Sequence, residues 1–490
     1  MSERRYVDGY RKLRRADEPR RIAYEVLHEV ASRGAFANII LPKALRQARR
    51  EGHFSDRDAA FTSELVHGTL RAMGRLDWVI ARHVDRELAD LDPRVLVLIR
   101  MGAHQLLDMR VPDHAAVSAT VDVAREHLTD GPVRFVNAVL RSITREEDAD
   151  REAAMETISD PDEALGVRYS HPAWMVRAFR DALAAHGYPQ GELEAVLAAD
   201  NEVPTVTLVA RPGLVSVDEL ADEAEDVLDT RVAFGAVSPL AVLLESGDPA
   251  RLPSLRDGRS GAQDEGSQLA AIMAASAPLG AGPDAHWLDL CAGPGGKAAL
   301  LAGLAQERGA RVTANEVHPH RARLIERTTR LYDSIEVVSG DGRTFGGGRS
   351  AWPLGSFDRV VVDAPCSGMG SMRRRPESRW NRAERDLDDL TALQAQLLDR
   401  AVELTRPGGV LTYITCSPHA AETRDQVRRL LDGGEVELLD AVALADDCTP
   451  APLEVPPSAG RLEGVAGRTL QLWDHRFGTD LMFVACLRKR

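Results

Sequence analysis

Leu288-Asp289-Leu290-Cys291-Ala292-Gly293-Pro294-Gly295-Gly296-Lys297 reads as a short apolar strand running into a glycine-rich turn. Glycines let the backbone turn tightly and approach a ligand closely. The helix that follows offers free N–H groups to an anionic group. Glu316 ends a second strand about 20 residues on, where a carboxylate can take both hydroxyls of a ribose. Asp341, after a third strand, can approach an adenine. Three ligands compete for such a loop. With Gly296-Lys297 aligned on a phosphate loop, the first required glycine is Cys291 and the required hydroxyl is Ala298, a poor fit. Gly293-x-Gly295-x-x-Ala298 loosely matches a dinucleotide fingerprint. S-adenosylmethionine (SAM) fits equally well, and the bland reading is a tight turn that binds nothing.

Outward from this loop, short apolar strands alternate with helical patterns. The strands are Trp287–Cys291, Arg311–Glu316, Ile335–Ser339, Arg359–Asp363, Gly409–Thr415 and Met482–Leu487. That alternation predicts a mostly parallel, doubly wound sheet over residues 261–490. Ligands of such sheets bind at the carboxyl ends of the strands.

Two of those ends carry a cysteine. Asp363-Ala364-Pro365-Cys366-Ser367-Gly368 follows the fourth strand, and Tyr413-Ile414-Thr415-Cys416-Ser417-Pro418 follows the fifth. A lone buried cysteine is usually a small hydrophobe. Two at strand ends, each in a polar loop, suggest chemistry. C5 of cytosine is too electron-poor to attack a methyl sulfonium. A thiolate added to C6 makes C5 enamine-like and nucleophilic. Asp363 is placed to assist at N3, and a second thiol can act as base or aid release. A nucleophilic thiol needs a lowered pKa. Enzymes that methylate exocyclic amines need no thiol and usually carry an Asp/Asn-Pro-Pro-aromatic loop, so Asp-Ala-Pro-Cys argues against that class. These motifs select SAM among the three ligands.

Arg373, Arg374, Arg375, Arg379, Arg382 and Arg385 follow Cys366 closely, among only two acids, Glu377 and Glu384. Such a run beside the chemistry can hold a nucleic-acid backbone. Arg373, Arg374 and Arg375 are the RNA-binding candidates. Base chemistry also needs an unstacked nucleotide. Trp380 can stack on a base, though half-buried packing is its commoner role. A second basic run holds Arg11, Lys12, Arg14, Arg15, Arg20 and Arg21.

The chain has 490 residues, 44% hydrophobic and 28% charged, with a net charge of −14. At roughly 100–200 residues per domain this suggests about three. Residues 1–145 read as all-helical: Ser55 and Asp58 make a capping signature before Phe61, Leu65, Val66 and Leu70 at helical spacing. His67 and His104 read as packing residues there. Residues 146–260 begin with an acidic linker or solvated helix and continue as a small α+β domain. The five cysteines make no C-x-x-C pair and no zinc spacing, and no metal constellation is visible. Met1 to Arg21 lack the apolar core of a signal peptide. No apolar run nears the roughly 18 residues that span a bilayer, so the expected location is cytoplasmic.

Taken together, Gln263-Asp264-Glu265-Gly266-Ser267-Gln268-Leu269, Cys-Ala-Gly-Pro-Gly-Gly-Lys, Asp-Ala-Pro-Cys-Ser-Gly, Arg374-Arg375-Pro376 and Thr-Cys-Ser resemble the SAM-dependent RNA (cytosine-C5) methyltransferases of the Nol1/Nop2/Sun family. The resemblance covers roughly residues 160–490. It implies a Rossmann-like methyltransferase domain, Cys416 as nucleophile, and Cys366 as an aid to product release. It also implies a SAM site lined by Cys291, Ala292, Gly293, Pro294, Gly295, Gly296, Lys297, Glu316, Asp341 and Asp363. The segments Arg57–Phe61, Glu64–Arg71, Gly102–Leu107 and Phe135–Arg141 are similar to the NusB-type helical RNA-binding domain. That pairing is similar to the bacterial 16S rRNA subgroup of the family, which implies 16S rRNA or a small-subunit precursor as partner. The alternative is a non-catalytic RNA-binding or assembly factor that retains a SAM site. Ala298 replaces a common Thr, Pro418-His419-Ala420-Ala421-Glu422 replaces Pro-Glu-Glu-Asn, and Gly478–Phe483 is a loose version of Asp-Gly-Phe-Phe.

Overall fold

Apolar residues three and four apart between Ala16 and Ile143 produce seven α-helices of the first unit: α1 (Glu18–Arg33), α2 (Ala37–Glu51), α3 (Asp56–Arg71), α4 (Met73–Ala81), α5 (Pro93–Leu107), α6 (Asp113–His127) and α7 (Asp130–Ile143). This computed structural model describes residues 16–52, 54–347 and 351–490. Its contacts divide the chain into two units, Met1–Ala173 with Arg375–Glu377, and Trp174–Arg374 with Ser378–Arg490. None of the described helices is long and apolar enough to cross a membrane.

In α3 the expected capping box forms, with Ser55 Oγ accepting from Asp58 N–H and the Asp58 carboxylate accepting from Ser55 N–H. Leu65 and Val66 then lie fully buried with Leu98, Ile99, Val136 and Leu140 in one core. A Cβ on Gly68 would lie 2.2 Å from His104 Nε2, so glycine there admits the α5 ring. His104 is buried with Nδ1 2.8 Å from Asp108, the packing role expected of it. The acidic stretch that follows forms α8 (Asp148–Met155) and α9 (Pro161–Tyr169). Of the N-terminal basic run, Arg11, Lys12, Arg14 and Arg15 lie outside the described residues. Arg20 donates to Gln105 and Arg21 to Glu25.

The second unit carries two sheets. The small one, in order β2-β3-β1-β4, joins β1 (Val206–Ala210), β2 (Val232–Phe234), β3 (Ala241–Leu244) and β4 (Ser260–Ala262), with antiparallel pairing throughout. The large sheet contains β5 (His286–Asp289), β6 (Arg311–Asn315), β7 (Ile335–Val338), β8 (Phe357–Asp363), β9 (Thr405–Thr415), β10 (Val436–Leu438), β11 (Leu470–Gln471) and β12 (Phe483–Lys489). Its order is β10-β12-β9-β8-β5-β6-β7, with β11 on β12. The five strands from β7 to β9 are parallel, while β12 runs antiparallel to β9 and β10 antiparallel to β12.

Successive residues of a strand face opposite sides, and helices cover both faces of this sheet. Trp287, Val361 and Ile414 pack on one side with Leu269 and Met273 of the helix Glu265–Ser276. Leu288, Val360, Val362 and Tyr413 pack on the other with Leu397 and Leu398 of the helix Asp386–Leu404. Cys486 is buried and Cys448 packs against the first of these clusters, as expected of residues outside any motif. The chain order reverses between β5 and β8, and that reversal opens a crevice at their carboxyl ends.

Candidate active site

Every candidate of the catalytic and cofactor sets falls at the carboxyl edge of the large sheet. The glycine-rich loop joins β5 to the helix Gly296–Glu307. Gly295 has φ +113°, open to glycine and rarely to side chains. A Cβ on Gly293 would lie 2.1 Å from Glu316 Oε2, so the loop's backbone and that carboxylate share one narrow cradle. Glu316, at the end of β6, is nearly buried; its Oε1 accepts His318 N–H at 2.9 Å. Arg321 braces the loop by donating to the Gly293 carbonyl at 2.5 Å. Asp341 caps the turn after β7 and pairs with Arg343 at 2.6 Å, which, with hydrogen bonds from Arg343, holds its carboxyl below the ordinary range.

Asp289, quoted in the loop but not singled out from sequence, is the second carboxylate of the cradle. It is fully buried, and among the described residues no side chain hydrogen-bonds to either oxygen. Burial, then repulsion from Asp363, pushes it up to about 7, with Lys297 opposing. An orphaned buried carboxylate is costly unless something pairs with it. Asn315 Oδ1 is likewise buried and unpartnered, while its amide donates to the Leu290 and Gly340 carbonyls. Orphaned acceptors and a carboxylate around a glycine cradle suit a ligand bearing hydroxyls and a cationic amine.

Lys297 and Asp363 meet at 2.9 Å across the crevice between the loop and β8. Burial alone would lower the Lys297 ammonium, but Asp363 outweighs it and the net direction is upward, so this lysine stays charged. Beyond them lie the two expected thiols. β8 and β9 are neighbours in parallel register, with Asp363 opposite Ile414. The loops leaving them bring Cys366 Sγ and Cys416 Sγ to 3.4 Å, both partly accessible. The pair is electrostatically split. The hydrogen bond from Cys366 lowers Cys416 despite burial and the charge of Asp363, and Lys297 adds to it. Cys366 is driven well up by the same hydrogen bond, by burial and by the nearby Glu422. Cys291 is also driven well up, by burial and then Asp289, Asp363 and Glu316, which makes it a loop residue and not a third nucleophile.

The arginine run is not the free basic face its composition suggests. Arg373 is 9% exposed and donates to the Gly478 carbonyl. Arg374 pairs with buried Asp480, and its side chain remains 41% exposed. Arg375 belongs to the first unit, with its guanidinium 5.3 Å from the Phe36 ring centroid. Arg379 is fully buried, donating to Asn201 and the Asp200 carbonyl. Arg382 and Arg385 are exposed. Trp380 is half-buried. His419 caps its own turn through Ala421 N–H, a structural role.

Sequence reasoning missed two further clusters. Asp264 accepts from Asp480 N–H at 3.0 Å, and burial with Asp480's charge pushes it up to about 7. Glu422 gathers the loops of both cysteines. Asp264 lay inside a quoted motif and Glu422 inside a quoted departure, but no spacing rule links either to its partners.

The family model for the 16S rRNA methyltransferase RsmB/F matches residues 277–488, and that of the NusB family matches residues 17–145. A Mycobacterium tuberculosis protein provisionally named a methyltransferase is 46% identical over 480 residues, covering 98% of each chain. Ribosomal RNA small subunit methyltransferase B of Salmonella paratyphi B is 31% identical over 422 residues, covering 86% of this chain and 91% of its own. The crystal structure of PH0851 shares the fold, with a TM-score of 0.76 at 21% identity over 97% of this chain and 99% of that one.

Proposed function

The chain belongs to the RsmB/F family of 16S rRNA methyltransferases, SAM-dependent enzymes here joined to a NusB-type RNA-binding domain, and from that membership we propose that it methylates C5 of a cytosine in small-subunit rRNA through a covalent adduct with Cys416. The observation that carries this reading is the 3.4 Å approach of the Cys366 and Cys416 sulfurs beside the Lys297–Asp363 pair. A binding module needs neither thiol.

The residues divide the work as follows. The Cys416 thiolate forms the bond to C6 of the ring, while Asp363 supports charge at N3. SAM, when bound, supplies the sulfonium methyl that C5 takes up. A base then removes the C5 proton, the C5–C6 double bond re-forms, and the Cys416 thiolate leaves. Cys366 stands where it can take part in that last step. Gly293, Glu316 and Asn315 would hold the adenosyl part and Asp289 the ammonium of the amino-acid part. Cys291, Ala292, Pro294, Gly295, Gly296 and Asp341 complete the loop and adenine side. Arg374, half-exposed, is the best placed of the three candidate arginines to meet an RNA backbone, with Arg382 and Arg385 near it in sequence. Arg373 instead fixes the Gly478 turn. Bisulfite sequencing of RNA from cells lacking the protein is expected to show one 16S cytosine losing protection. A 16S protection pattern unchanged from wild type would overturn the assignment.

The state of Asp289 adds a pH dependence. A carboxylate pushed up to about 7 takes up a proton below that pH. Only its ionised form attracts an ammonium, so the affinity for SAM should fall as pH falls. Between pH 8 and 6 the ionised fraction of Asp289 falls about tenfold, and because the ligand's α-amine, with an ordinary pKa of about 8, becomes more fully an ammonium over the same range, the net loss of affinity is about fourfold. Calorimetric titration across that range checks it. Asp289→Asn should bind SAM weakly at both pH values, with the slope gone. An unchanged slope in that variant would place the titrating group elsewhere.

A further inference from the structure

The loops leaving β8 and β9 hold Cys366 and Cys416 against each other with no substrate between them: the sulfurs stand 3.4 Å apart. A disulfide needs about 2.05 Å between sulfurs and roughly 4.4–6.8 Å between Cα atoms. Asp363 lies opposite Ile414 in the pairing of β8 with β9, and the cysteines follow those residues by three and two positions. Neighbouring strands lie about 4.8 Å apart, so closure asks for rotation of two small side chains and little of the backbone. Past the strand ends the loops stay tied. The fully buried Glu422 carboxylate accepts from the Ser367 backbone N–H at 2.7 Å and from the Ser417 hydroxyl at 2.6 Å, which fixes the residue after each cysteine. Gly370 N–H donates to the Cys416 carbonyl at 2.9 Å. A Cβ on Gly370 would lie 2.3 Å from the Leu481 carbonyl and 3.0 Å from that of Cys416, so glycine is what lets the Cys366 loop lie there.

Two thiols held in contact react with each other as an intramolecular pair, at a high effective concentration. Both keep partial solvent exposure, enough for a small oxidant. Cys448 and Cys486 belong instead to the packed cluster on one face of the sheet. We propose that Cys366 and Cys416 form an oxidation site: a peroxide converts them reversibly to a disulfide, which withdraws Cys416 from the reaction and spares it from irreversible oxidation. The Cys416 thiolate attacks a peroxide oxygen; the S–O bond forms, the O–O bond breaks, and hydroxide leaves, taking up the proton that Cys416 had lost. The Cys366 sulfur then attacks the sulfenic sulfur; the S–S bond forms, the S–O bond breaks, and the oxygen leaves as a second water with the Cys366 proton. Two thiols are oxidised and one peroxide is reduced. A dithiol reductant reverses the change and is itself oxidised to a disulfide. The cross-link needs only the geometry, while the loss of methyl transfer that follows from it rests on Cys416 as the nucleophile.

The test treats the full chain with about one equivalent of hydrogen peroxide, blocks the remaining thiols with iodoacetamide and maps the peptides by mass spectrometry without reductant. Wild-type protein should give a Cys366–Cys416 cross-linked pair, two hydrogens lighter than its two peptides together, and dithiothreitol should restore both thiols. In Cys366→Ser the oxidised Cys416 has no partner and should go on to sulfinic acid that dithiothreitol does not recover. Calorimetric SAM binding before oxidation checks that the variant is folded. Methyl transfer by the wild type should be lost on oxidation and regained on reduction. Sulfinic acid at Cys416 of the wild type without the cross-link, or a disulfide from Cys416 to Cys291 in its place, overturns the proposal. So does the same yield of sulfinic acid in wild type and Cys366→Ser. A cross-linked protein that still transfers methyl leaves the oxidation site standing and sinks Cys416 as the nucleophile.

Discussion

Cys416→Ala is expected to lower methyl transfer by at least about a thousandfold while SAM still binds, because the reaction at C5 has no route without a nucleophile at C6. No neighbour can substitute. Cys366 lies 3.4 Å away; it loses with Cys416 the hydrogen bond that raises it most, but burial and then Glu422 still raise its thiol, and Cys291 is held up by burial and then by anions within the glycine-rich loop. The proposed SAM cradle draws on β5, β6 and the loop at Gly293, not on the Cys416 side chain. Transfer of labelled methyl to RNA and calorimetric SAM binding, measured on the same preparation, separate the two effects. Activity within tenfold of wild type would sink the covalent mechanism. Loss of SAM binding together with activity would show instead that the substitution damaged the site.

Cys366→Ala is expected to do something different: turnover falls, and a protein–RNA adduct builds up that survives denaturing electrophoresis. The two sulfurs touch, so in the proposed mechanism Cys366 stands beside the adduct that Cys416 forms. Removing it leaves Cys416 able to attack but slows the release that follows. The double variant Cys366→Ala/Cys416→Ala should form no adduct, which ties the trapped species to Cys416. A Cys366→Ala protein that turns over normally without adduct would restrict Cys366 to its influence on the Cys416 proton.

The local pattern carried much of this architecture. All six expected strands exist, although Phe357 and Thr405 begin theirs earlier than the apolar runs suggested. Strand direction was only partly legible. Alternation of strands with helices implies parallel neighbours, but β12 enters antiparallel beside β9, and β10, with three residues, is too short to announce itself. Helix periodicity and the Ser55–Asp58 box were both readable because each depends on residues within a few positions of one another.

What the sequence by itself determined is therefore the set of elements and the reactive residues at their ends: the glycine turn after β5, Glu316 after β6, and a cysteine after each of β8 and β9. Tertiary structure alone decided which of these groups confront one another. Cys366 and Cys416 are 50 positions apart and Asp264 and Asp480 are 216 apart. The full burial of Asp289, which raises its carboxyl, exists only because helices cover both faces of its sheet. The arginines show the same divide, since composition reveals their charge and only the folded chain reveals that Arg374 already answers Asp480. The reason is physical. Secondary structure follows from short-range periodicity, while proton affinities and charge pairing follow from burial and through-space distance, which exist only after the chain has packed.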